Sequence, residues 1–163
     1  MTKNIPIIPT PVSEATGRAQ SYLFDHFCEL MTRVFMAQEE EEWAEDAGFD
    51  IAFGQSVSDA ETAWKLVAIQ AETVTALQPL SVNDLVLHRM AGLISRAVSA
   101  TSLAALEAVQ SRAVHCLAQA PAHIAAPVRD LADEAQTCID QMIEHALTNG
   151  SCERPGAGLP LAA

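Results

Sequence analysis

His88 is the residue whose type and neighbours come nearest to chemistry in this chain. At helical spacing it shares a polar strip with Asp84, Arg89, Gly92, Ser95 and Arg96. A solvent-facing imidazole can carry a proton or act as a nucleophile near neutral pH. Other constellations are missing. Asp84 and His88 stand at i, i+4 and could share an ion, but no third ligand is identified beside them. The residues three before His88, His115 and His145 are Leu85, Arg112 and Met142, so the Glu-x-x-His pairs of di-iron bundles are not formed. There is no Cys-x-x-Cys, His-Glu-x-x-His, Gly-x-x-x-x-Gly-Lys or Gly-x-Ser-x-Gly. Cys116 follows His115, but adjacent helical side chains point about 100° apart and do not meet. The expectation is therefore no metal, no cofactor and no catalytic centre.

The segment His88-Arg89-Met90-Ala91-Gly92 resembles, over five residues, the histidine-phosphotransfer family, whose helical bundle presents a phosphorylatable histidine in a His-x-x-Lys-Gly setting. The resemblance implies His88 as phosphoacceptor, with Gly92 one turn on leaving room for a partner to approach. Ala91 stands where the family has the lysine that stabilises phosphate. A surface histidine without chemistry is the alternative reading of the same strip. Arg89 and Arg96, seven residues apart, could contact phosphate; in so acidic a chain, pairing with Asp84 or other acids is the stronger expectation.

A net charge of −12 repels phosphate backbones and anionic membranes, so neither nucleic acid nor a membrane is an expected partner. Acidity favours basic protein partners or simply solubility. Its densest stretch is Glu39-Glu40-Glu41-Glu42, with Glu45 and Asp46 beyond. Met36 and Trp43 lie seven residues apart on the side away from the apolar face, and Ala47 extends that stripe. Met36, Glu39, Glu40 and Trp43 together suit a basic, partly apolar protein partner. A solvated acidic face is the plain alternative. So is intramolecular cover of Met36 and Trp43 by the N-terminal arm or the Phe49/Phe53 loop.

These residues need a scaffold, and the apolar pattern supplies a helical one. Five stretches repeat apolar residues every three to four positions, and almost nothing alternates with period two. Over 128–147, Val128, Leu131, Ala132, Ala135, Cys138, Ile139, Met142, Ile143 and Ala146 fall within an arc of about 140°. The first helix starts between Ser13 and Ser21 and places Leu23, Phe24, Phe27, Cys28, Leu30, Met31, Val34 and Phe35 on one face. Acids at its C-terminus oppose the helix dipole, so the end either frays or something cationic compensates. Residues 48–56 read as a loop, and Ser58-Asp59-Ala60-Glu61 as the capping box that opens the second helix.

The second helix ends before Pro79, and Ser81 caps the third. The third and fourth helices are separate: Val82, Val86, Met90, Leu93, Ile94 and Ala97 define one apolar face, while Leu103, Leu106, Val109, Ala113, Cys116 and Leu117 define another. On one continuous rod those faces would be about 150° out of phase, so a turn near 99–102 is required. The fourth helix stops before Pro121, and Pro127 marks the start of the fifth.

The expected architecture is all-α: an up-down antiparallel bundle of four to five helices over 13–149. An extended Pro-rich arm occupies 1–12, and a flexible Gly/Pro/Ala tail 150–163. Leu161-Ala162-Ala163 resembles the end of the bacterial degradation tag, which implies regulated turnover through the tail. Cys28, Cys116 and Cys138 sit on apolar faces as small hydrophobes. With no secretory h-region and no long apolar run, the expectation is a cytoplasmic, bacterial-type protein. Its expected role is non-enzymatic interaction or regulation through outer helix surfaces. A homo-oligomer is compatible with this composition.

Overall fold

The structure is a computed structural model that describes residues 21–46 and 53–148. Five helices make up the fold: α1 Tyr22–Asp46, α2 Phe53–Ala76, α3 Val82–Val98, α4 Leu103–Ala118 and α5 Ala126–Thr148. Among the described residues there is no strand, and no helix is long and apolar enough to cross a membrane. The expected arm at 1–12, the Phe49 side of the loop and the tail with Leu161, Ala162 and Ala163 lie outside the described residues.

Bonds between helices fix their directions. The Gln70 amide donates to the His26 carbonyl, and the Trp64 indole to Glu41, so α1 and α2 run antiparallel. Gln38 meets Gln141, and Glu41 lies beside His145, which sets α5 parallel to α1. Ser21 meets Asp84, and the Ala125 amide donates to the Asn83 side chain, so the starts of α1, α3 and α5 gather at one end. The chain therefore travels up, down, up, down and up. α3 packs against all four other helices, whereas α1 and α4 do not touch.

That central position widens the buried face of α3 beyond the sequence pattern. Leu87 and Ala91 are fully enclosed alongside Met90 and Ile94. Val82, assigned to the core by spacing, is 43% exposed, because it opens the helix at the rim of the bundle. Phe35 is likewise corrected: it stands 39% exposed at the edge of the α1 stripe. The turn at 99–102 is present, with the Ser102 side chain accepting from the Ala105 amide. Ser81 caps α3 by accepting from the Asp84 amide.

Two local expectations change. α2 begins at Phe53, so 53–56 is helix where the sequence suggested loop, and Ser58 lies inside the helix with its carbonyl accepting from Thr62. A Ser-x-x-Glu pattern fits a helix interior as well as a helix start, and one glycine in a first turn costs only about 1 kcal/mol. At the acidic end of α1 the helix continues to Asp46. Glu41 there accepts the Trp64 indole N–H at 3.2 Å and has His145 Nδ1 3.9 Å away, so one of these acids is tied to α2 and α5.

Asp84 fastens the end where three helices start. It is only 3% exposed, and its carboxylate accepts from the Ser21 hydroxyl and from the Leu80 amide at 3.1 Å. Ser21 in turn accepts the Phe24 amide, so one hydroxyl both caps α1 and ties it to α3. Burial alone would push the Asp84 carboxyl up, but the hydrogen bonds from Ser21, Ser81 and the nearby backbone outweigh it and hold the group below its usual value. Asp84→Ala should therefore cost about 2–3 kcal/mol in denaturant titrations. A carboxyl depressed in the fold stabilises above its unfolded pKa of about 3.9 and loses that contribution as pH falls through the folded value. Wild type should thus lose stability in that acid range, and Asp84→Asn should lack this component of the loss.

Candidate functional site

α1 turns two acids of its run, Glu39 and Glu40, to the same side as its outer apolar residues. Met36 is 58% and Trp43 75% exposed, and Glu39 and Glu40 stand exposed between them. The four sequence-selected residues thus share one outward surface, and no described residue covers Trp43. Beside them a groove of about 470 Å³ runs between α1 and α5. Glu39, Glu41, Glu42 and Glu144 line it with carboxylates, while Phe35, Trp64 and Met142 give it apolar walls. Glu39 belongs both to this groove and to the outer stripe, which joins them into one surface. Its four carboxylates repel one another, so a cation entering the groove relieves that repulsion. The groove was not foreseen from sequence, because its α5 wall becomes adjacent to the acids only through the parallel packing of α1 and α5.

His88 is placed differently from the expectation of an open surface imidazole. It is half-buried, and Nε2 lies 2.9 Å from the Thr75 carbonyl oxygen. A carbonyl only accepts, so Nε2 carries the proton, and a phosphoacceptor role would fall to Nδ1. Gly92 follows one turn later, where an added Cβ would meet only Thr75 Cγ2 at 3.8 Å, an ordinary contact. Packing therefore does not require glycine here, although a mid-helix glycine costs roughly 0.5–1 kcal/mol. The strip faces a second cleft, of about 470 Å³, formed with α4 and the end of α2. Arg89 and Arg96 line it without the acid pairing expected of them. Asp84 is committed to Ser21 and Leu80, and no acid among the described residues lies within ion-pair distance of either arginine.

The remaining reactive groups are quiet. Cys138 is fully buried, and burial together with Glu134 pushes its thiol up to about 11. Burial also raises Cys28 and Cys116, so none of the three is activated as a thiolate. Among the described residues no group of three or more His, Cys, Asp or Glu side chains could hold a metal. No family model matches this chain, and neither a curated protein nor a solved structure matches it.

The two tryptophans separate surface from scaffold. Trp64 is partly buried against the core and hydrogen-bonded to Glu41, whereas Trp43 points outward. Trp64→Ala should cost about 2 kcal/mol in chemical denaturation, and Trp43→Ala less than about 0.5 kcal/mol. Equal losses would mean that Trp43 is covered within the molecule.

Proposed function

We propose that this protein is a non-enzymatic interaction module that binds a basic, partly apolar segment of a partner protein along α1 and the α1/α5 groove. The observation that carries the reading is Trp43, three-quarters exposed, beside Met36, Glu39 and Glu40. Exposed Trp and Met are costly to leave in water and are the side chains that dominate protein interfaces. Lysine or arginine side chains of the partner would enter the groove among Glu39, Glu42 and Glu144, and its apolar side chains would cover Met36 and Trp43. Aromatic and apolar contacts supply affinity, while the acids select the sign of the partner and speed its approach.

The quiet thiols of Cys28, Cys116 and Cys138 and the hydrogen-bonded His88 support binding over catalysis, since none of these three thiols is activated. Affinity capture with wild type, Trp43→Ser and a Glu39→Lys/Glu40→Lys variant tests the proposal. A protein with a Lys/Arg-rich segment should be retained by wild type, lost from both variants, and released as salt screens the acids. A synthetic peptide of that segment should then shift the NMR signals of Met36 and Trp43. Identical captured sets for all three proteins would reject this surface as the interface.

A further inference from the structure

The charge of this protein is sorted by helix. α1 carries eight acids and one arginine, and α5 five acids and one arginine. α3 and α4 carry one acid each, Asp84 and Glu107, against Arg89, Arg96 and Arg112. All three arginines line the cleft between α3 and α4, together with His88 and His115, and among the described residues no carboxylate lines it. Arg129 on α5 also makes no ion pair among the described residues, although Asp133 stands four residues on; the two remaining described cations are paired. Arg33 is bound to Glu29 at 2.7 Å and Lys65 lies 3.7 Å from Glu61, each to an acid four residues earlier. Arg89, Arg96 and Arg112 have no acid three or four residues away on either side, and none makes an ion pair among the described residues. In a chain of net charge −12, three guanidinium groups facing one cavity without a counter-charge leave an anion as the missing component.

We infer that the α3/α4 cleft binds a small phosphomonoester with an apolar body. Three guanidinium groups would leave a single carboxylate's charge heavily over-compensated. A phosphomonoester brings about −1.5 to −2 charges at pH 7 and three acceptor oxygens, and arginine forks match that geometry. Arg89 and Arg96 stand two turns apart, about 10.5 Å along the axis, with the side-chain-free surface of Gly92 between them. Arg112 reaches the cleft from α4. The cavity, about 470 Å³, has the size of sites that enclose a small organic molecule. Leu93 and Cys116 offer apolar surface to the body of the ligand, and His88 is held in place by the Thr75 carbonyl. No described residue of α1 or α5 lines this site, and it shares no lining residue with the α1/α5 groove, so it is independent of the protein-binding surface proposed above.

Isothermal titration of the full chain with phenyl phosphate at low ionic strength tests the inference. Saturable one-to-one binding is expected, with a dissociation constant on the order of 0.1–1 mM for so small a probe. Inorganic phosphate should bind at least about tenfold more weakly, because it lacks the apolar body. Arg112→Met and Arg96→Met should each weaken phenyl phosphate about tenfold. Arg112→Lys should recover part of the loss, and Arg129→Met on α5 should change nothing. Circular dichroism melts verify that each variant is folded. No saturable binding in the millimolar range overturns the site, as does undiminished binding to folded Arg96→Met and Arg112→Met. Equal affinity for inorganic phosphate and phenyl phosphate overturns the apolar-bodied ligand.

Discussion

The burial of α3 against all four other helices is the constraint from which the rest of the molecule follows. A helix packed on several sides can keep only a narrow strip in contact with water, so its sequence must be apolar around most of its circumference. Leu87, Met90, Ala91 and Ile94 meet that demand. The one acid of α3, Asp84, is tolerated because hydrogen bonds satisfy it where the starts of three helices converge. A buried carboxylate without those donors would be costly, and one with them ties α1 to the hub.

The same constraint shapes the surface. Helices at the periphery have room for charge, and α1 and α5, packed parallel, bring Glu39, Glu41, Glu42 and Glu144 together. Their carboxylates surround a groove that has Phe35, Trp64 and Met142 in its walls. On α3 the water-facing strip is so narrow that Arg89, Gly92 and Arg96 follow one another along a single cleft wall. Arg112 completes that wall from α4. A strongly acidic protein thus holds a cationic pocket because its charges are segregated by element and do not mix. The two surfaces differ in chemistry, one suited to cations and one to anions, and each lies on a different pair of helices.

Much of this was legible in the sequence. The helical period gave all five helices, and the phase jump between Ile94 and Leu106 gave the turn at 99–102, where Ser102 caps α4. The outward placement of Met36 and Trp43 also followed from spacing, since both sit opposite Leu30 and Val34. Tertiary contacts were the harder part. Leu87 lies off the principal stripe and is buried only because α3 has neighbours on several sides. Gln70, which joins α1 to α2 through the His26 carbonyl, gives no periodic signal because a polar residue reads as surface. The start of α2 was misplaced because the Ser58 pattern fits a helix interior equally well. For Arg89 and Arg96, overall acidity suggested pairing. The better signal was local: neither they nor Arg112 has an acid at helical contact spacing.

Native-state hydrogen exchange tests the central position of α3 most directly. If α3 is the hub, its amides between Leu87 and Ile94 should exchange slowest in the protein. Their opening free energy should then equal that of global unfolding measured by denaturant. Exchange of these amides through a smaller opening, while α1 or α5 stays protected, would contradict the account.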